Sequence, residues 1–396
     1  MNKKQNKKII FCLILSILLL TSSCINKNLS KINKDLLYKY QWALKNDGTM
    51  SIDASKALIS KPIDVLSKYD TELLYGHSSD DLLNATENFD IDIESAWSVY
   101  DKIKNKKETI IAVIDTGIDI NHFELSDGIF KNKHEIINGI DDDGNGYIDD
   151  VTGWNFYDND KEVFKDGIID SHGTHVAGQI IAKSQNGGMK GICDPRYVKV
   201  LPIKILGEGE HGDTENLIKA IKYAEAMEAD ICNISLGTYE YNEELDVIVK
   251  NSNMLFIVAC GNGLNNQGIS TDEYKTYPAS LNYNNVISCA NIMLNGLENV
   301  SSNYGLETVS LFAPGTYILS TIPNNSFAFQ TGSSMAAPIV TGVAGMIKSA
   351  VPEMKADDIK NIILENVVKL DALSSKCISG GYLSAGAIFR GMIDKN

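Results

Sequence analysis

Between residues 110 and 290 the chain repeats one pattern: a short, β-branched-rich apolar run, then a longer polar or amphipathic stretch. The runs are 110–114, 198–206, 230–234, 255–260 and 286–290. Continuous apolar runs of this length predict strands buried on both faces. Strands separated by helical stretches cannot be joined by tight hairpins, so the pattern predicts an α/β fold, a mostly parallel central sheet with helices on both faces. Thr214 to Met227 predicts one of these helices, because Asp213 can cap it and Leu217, Ile218, Ile221 and Ala224 share a face. Asp357 to Val368 and Ser384 to Met392 predict closing helices. Pro202 cannot donate to a strand ladder, so it predicts a bulge or an edge position. A length of 396 residues suits one large domain with extensions.

Three signatures carry candidate chemistry. Ile-Ile-Ala-Val-Ile-Asp-Thr-Gly-Ile-Asp (110–119) places Asp115 directly after a strand, with Gly117 free to turn the chain. Asp-Ser-His-Gly-Thr-His-Val-Ala-Gly (170–178) carries His172 ahead of a helical stretch from Val176 to Ala182. Thr-Gly-Ser-Ser-Met-Ala-Ala-Pro (331–338) sets Ser334 before a small-residue apolar helix, whose N-terminal dipole favours developing negative charge. A serine hydroxyl is a poor nucleophile until a base takes its proton. An imidazole titrates near working pH, and a carboxylate on its far nitrogen fixes the tautomer. These residue types assign Ser334 as nucleophile, His172 as general base then acid, and Asp115 as orienter. The run Leu255–Cys260 ends in Gly261-Asn262, and the Asn262 side chain with the Ser334 backbone N–H can face an oxyanion.

The order Asp…His…Ser, with Asp-Thr-Gly, His-Gly-Thr-His-Val-Ala-Gly, Ser-Leu-Gly (235–237), Gly-Asn (261–262) and Gly-Ser-Ser-Met-Ala, resembles the subtilisin-like serine peptidases, the subtilases. The resemblance runs from about Glu94 to near the C-terminus, with a weaker echo at Tyr40–Leu44. It implies a subtilisin-like fold and serine endopeptidase activity through a Ser334 acyl-enzyme. It also implies that Ser235, Leu236 and Gly237 line the substrate cleft. Gly212 would lie on a strand that pairs with extended peptide substrates. The chain departs from the family at Ser333, where threonine is usual, and at Ile339, where histidine is usual. The bland alternative is three unrelated polar residues, and five matching blocks in order argue against it. An α/β-hydrolase needs Asp and His after the serine, yet no histidine follows His211. A zinc hydrolase needs His-Glu-x-x-His, and Gly173 follows His172. His175 reads as structural, and His77, His122, His134 and His211 as lone loop or surface groups. The non-enzyme alternative is a catalytically weak or inactive surface binding protein on this fold.

The first 24 residues read as a targeting segment: Lys3, Lys4, Lys7 and Lys8, an apolar stretch Ile9–Leu20, then Thr-Ser-Ser-Cys. This resembles a bacterial lipoprotein signal with Cys24 as the lipidated residue, and predicts a lipid-anchored protein at the cell envelope, otherwise a secreted one. Formal net charge is −15; without those four lysines, 32 basic residues face 51 acidic ones, a net −19. Such a surface disfavours nucleic acid as a partner. Outside the signal, five cysteines lack disulfide-scaffold spacing, and Cys232, Cys260 and Cys289 read as buried thiols. The expected organisation is signal 1–24, tether and N-terminal extension 25–90, and peptidase domain 91–396. Within the extension, Ala54–Tyr69 is amphipathic, and 49–88 is open to reading as an insertion, a lid or a vestigial pro-region. Finally, 141–150 (Asp-Asp-Asp-Gly-Asn-Gly-Tyr-Ile-Asp-Asp) matches the first nine positions of a calcium loop, with Asp141, Asp143, Asn145 and Asp149 as oxygen ligands. Thr152 stands where the usual glutamate would.

Overall fold

The computed structural model describes residues 35–53, 82–165, 167–208, 212–263 and 267–394. The targeting segment, Cys24, Ala54–Tyr69, His77 and His211 lie outside them. The strands are β1 (Ser51–Asp53), β2 (Leu82–Asn84), β3 (Thr109–Asp115), β4 (Trp154–Asn155), β5 (Val198–Lys204), β6 (Ile231–Ile234), β7 (Leu255–Ala259), β8 (Val286–Ile292), β9 (Leu311–Pro314), β10 (Ile318–Ile322), β11 (Ser326–Gln330), β12 (Val368–Lys369) and β13 (Gly381–Tyr382). The helices are α1 (Ile93–Tyr100), α2 (Ser171–Ile181), α3 (Thr214–Ala226), α4 (Glu243–Asn251), α5 (Ser333–Ala350), α6 (Ala356–Glu365) and α7 (Ala385–Asp394).

Nine strands form one sheet in the order β12-β13-β9-β8-β7-β6-β3-β5-β4. Every neighbouring pair is parallel except β12–β13. The alternation along β3 explains why the sheet needs cover on both faces. Ile111 and Val113 enter one core, which holds α2, α5 and much of α1 and α7. Ala112 and Ile114 enter the other, beneath α3 and α4. From β3 the chain order runs outward in both directions, β6 on one side and β5 on the other. That divergence opens a crevice at the carboxyl ends of these strands, where α/β sheets carry their sites.

The expected helices form with ends shifted by a few residues; α3 starts at Thr214 and the Asp213 carboxylate accepts the Asn216 N–H at 2.6 Å. Pro202 makes no bulge, since the β3–β5 register runs unbroken through Val113–Pro202. It sits where the outer neighbour of β5 is ragged, between the Ile129–Val200 bridge and the two-residue β4. The segment from Leu37 joins the main core: Trp42 is 1% exposed, and its indole N–H donates to the Thr316 carbonyl at 3.0 Å. Cys193, Cys232, Cys260, Cys289 and Cys377 are buried free thiols. Among the described residues no helix is long and apolar enough to cross a membrane.

Candidate active site

Asp115 ends β3, and the chain turns at Gly117, whose φ is 125°. A side chain there would be strained, and its Cβ would lie 2.7 Å from the Asp170 carboxylate. At Gly173 a Cβ would lie 2.3 Å from the Gly117 carbonyl and 3.1 Å from Asp115. The two glycines therefore let the first turn of α2 lie directly against Asp115. His172, second residue of that helix, places Nδ1 2.7 Å from Asp115 Oδ1. The same oxygen accepts the Thr116 N–H at 2.7 Å. Asp115 is 1% exposed and the His172 side chain 20%. A carboxylate at Nδ1 selects the tautomer with the proton there, leaving Nε2 as the basic atom at the cleft.

Ser334 stands at the second position of α5. Its hydroxyl donates to the Ser235 carbonyl at 3.0 Å, and the Ser235 hydroxyl donates back to the Ser334 carbonyl at 3.0 Å. The second bond has a reason in the sequence. In a regular helix the N–H four residues on would occupy the Ser334 carbonyl, but that residue is Pro338, which has no N–H. The freed carbonyl is satisfied by the residue that follows β6 instead. Asn262 Oδ1 accepts the Ser333 N–H at 3.0 Å, while among the described residues its Nδ2 has no paired acceptor. The early N–H groups of a helix lack intrahelical acceptors, so the Ser334 N–H and Asn262 Nδ2 are two donors at one helix start. Ser333 keeps the hydroxyl that the family's usual threonine would supply: Oγ accepts the Gly261 N–H at 3.1 Å and ties the Asn262 turn to α5. Ile339 is buried in the main core.

The segment after β6 carries the other expected contacts. Ser235 is buried, Leu236 half-buried and Gly237 exposed, and Thr238 pairs with Tyr277 through two backbone hydrogen bonds of 2.9 and 2.7 Å. Gly212 is exposed and lies close against Leu206. His175 is fully buried, with Nε2 3.0 Å from the Ile318 carbonyl and 3.1 Å from the Ala328 carbonyl. It thus pins the β10–β11 hairpin to α2, and burial pushes its pKa down to about 3. His122 is buried with partners on both ring nitrogens, and His134 is exposed. Cys260 lies beneath the Asn262 turn, its thiol donating to the Asn303 carbonyl at 3.2 Å and pushed up by burial to about 12.

The acidic loop groups differently from the sequence expectation. Glu135, Asp143 and Asp150 bring one oxygen each within 4.8 Å of the others, two of the residues being buried, and such a group could hold a metal ion. Of the three expected carboxylate ligands only Asp143 belongs to it. Asp141 spends its oxygens on the backbone N–H groups of Gly144, Asn145 and Gly146. Asp149 is held by Lys161 at 2.7 Å and by the N–H groups of Asn138 and Gly139, which lower its pKa to about 2. The Asn145 amide donates to Asp143 and Asp150, as does that of Asn132. An all-oxygen carboxylate set suits a hard dication such as calcium. Glu135 was not legible because it precedes the loop motif, and Asp150 because it falls one place beyond the motif's acidic ninth position.

A doubly wound sheet with an Asp–His pair at its switch point and a serine at an adjoining helix start defines a serine-hydrolase type of site. Residues 106–380 match the model of the subtilase family. The chain is 34% identical over 294 residues to subtilisin-like protease 1 of Plasmodium vivax, covering 69% of this chain and 46% of that protein. It is 37% identical over 255 residues to the major intracellular serine protease of Bacillus subtilis, covering 64% of this chain and 71% of that protein. The cell wall-associated protease of Bacillus subtilis is 28% identical over 350 residues, 88% of this chain and 31% of its own. This chain belongs to the subtilase family. It spans about half the length of the Plasmodium relatives it matches.

Proposed function

We propose that the chain is a serine endopeptidase in which Ser334, His172, Asp115 and Asn262 act together. Ser334 Oγ attacks the peptide carbonyl as His172 Nε2 takes its proton. Asp115 holds the Nδ1–H and stabilises the imidazolium. The oxyanion forms against Asn262 Nδ2 and the Ser334 N–H. His172 then protonates the leaving amine, and water hydrolyses the acyl-enzyme by the same route in reverse. The observation that carries this reading is the 2.7 Å Asp115–His172 bond on α2, a helix packed against α5, which bears Ser334 at its second position. The Ser334 hydroxyl must leave the Ser235 carbonyl for the attack. Extended peptides are the proposed substrates, held along Ser235–Gly237 and the segment through Gly212. Purified protein should cleave an unstructured polypeptide such as reduced casein, and Ser334→Ala should lose at least about 10³-fold in turnover. Equal turnover by the two would refute the assignment, and inactivity of both would favour the binding-protein alternative.

The proposed setting is the outer face of a bacterial cell, with a lipid on Cys24, or release into the medium if the segment is simply removed. Calcium is the proposed ion for Glu135, Asp143 and Asp150, where it would offset the mutual repulsion of three carboxylates in the loop before β4.

A further inference from the structure

Lys204 ends β5, in register beside Asp115, and is 2% exposed. An ammonium has three N–H groups to place. Here they go to the Thr116 carbonyl, to the Leu206 carbonyl at 2.7 Å and to Asp170 Oδ1 at 2.6 Å. Asp170 is fully buried, and its other oxygen accepts the Lys165 N–H at 2.6 Å. Two short routes lead from this ion pair to the Asp115–His172 pair. Through Thr116, whose N–H donates to Asp115 Oδ1 at 2.7 Å and whose hydroxyl accepts the Gly173 N–H at 3.0 Å, Lys204 fixes the turn that holds the carboxylate. Through Asp170, whose carbonyl accepts the Thr174 hydroxyl at 2.7 Å, it fixes the first turn of α2. A buried ion pair is a poor source of stability, since a matched apolar pair would serve as well or better. Its placement between the two segments that must meet is better explained by what it aligns.

We propose that Lys204 and Asp170 are positioning residues for the reaction above, setting the geometry and the local charge at His172. This inference rests on the Ser334–His172–Asp115 reading. Among the described residues the charged and titratable groups tied by these contacts to His172 and its helix are Asp115 on β3, His175 on its own helix, Asp170 at that helix's start, Lys204 on β5 and the buried Asp119, whose N–H donates to the Thr174 hydroxyl at 3.0 Å. Beyond them lies Lys165, paired with Asp158 and Asp160. In the parent, the ammonium of Lys204 and the carboxylate of Asp170 compensate each other.

The test is the pH profile of kcat/KM on a peptide substrate. Lys204→Met removes the ammonium that compensates the Asp170 carboxylate, which favours the imidazolium and moves the acid limb up. Asp170→Asn leaves a lone ammonium and moves it down. Each shift should be roughly half a pH unit or more. The double variant Lys204→Met/Asp170→Leu removes both charges without leaving either buried alone, so it decides the matter if a single variant fails to fold. Its acid limb should return to the parental position while kcat stays about tenfold or more below the parent, with KM little changed. An unmoved acid limb in both single variants, or parental kcat in the double variant, overturns the proposal. A parent chain that takes no serine-directed fluorophosphonate label overturns the peptidase reading, and this inference with it. A parent that labels while the variants keep its profile overturns this inference alone.

Discussion

Asn262 Oδ1 holds the Ser333 N–H, and in the proposed mechanism its Nδ2 is the oxyanion donor. Asn262→Ala should therefore lower kcat by about 10²–10³ with KM little changed, the range associated with this donor in subtilisin, the type enzyme of the family. Steady-state kinetics on one peptide would check it, and a loss confined to KM would contradict the role. His175 yields a stability prediction. Its folded value is about 3, below the unfolded value near 6.5, so it is a group with a depressed pKa. Its contribution is fully present above about pH 6.5 and is lost as pH falls below that, at about 1.4 kcal/mol per unit until the folded value is reached. Between pH 7.5 and 5 the parent should lose about 2 kcal/mol more stability than His175→Gln, read from denaturation midpoints; equal losses would contradict this. At this scale the sequence was most legible where a residue sits in a short, ordered signature, as Asp115 and His172 do. Lys204 and Asp170 were not legible, because a lysine at the end of an apolar strand signals burial only once its three acceptors are seen.

The start of α5 shows how an element's irregularity serves the site. Pro338 removes the helical partner of the Ser334 carbonyl, and the Ser235 hydroxyl replaces it at 3.0 Å. Ser235→Ala should cost about 1–3 kcal/mol of stability, because it leaves that carbonyl unsatisfied, and should slow acylation. Thermal denaturation with labelling rates would test both, and unchanged values would remove the role. Chelation should lower the melting temperature by several degrees, added calcium should restore it, and Asp150→Asn should melt at the same temperature with or without chelator. A parent indifferent to chelator would exclude a stabilising ion. Long buried strands were legible because an apolar run survives any context. The two-residue β4, β12 and β13 left no periodicity to read. The β10–β11 hairpin depends on Ser320 and Thr321 bonding across to α2 and on His175 of α2 bonding back to Ile318, which no local pattern announces.

For the molecule as a whole, strand–helix alternation was sufficient to anticipate a parallel sheet with two covered faces, because buried parallel strands leave few other ways to satisfy the backbone. The strand order, with β3 between β5 and β6, was not legible; it follows from crossovers whose destinations are set by packing across the entire domain. Attachment is also a property of the whole chain. Cells expressing it with a fatty-acid analogue should show label on the parent and none on Cys24→Ala, and an unlabelled parent would refute the anchor. Residues from β3, α2 and α5 are proposed to form one acylating centre. The most direct measurement is reaction of the purified chain with a fluorophosphonate, followed by mass-spectrometric mapping of the modified peptide. The expected product is a single adduct on Ser334 that is lost in Ser334→Ala and strongly slowed in His172→Ala. No adduct on the parent, or an adduct whose rate is indifferent to His172, would contradict it.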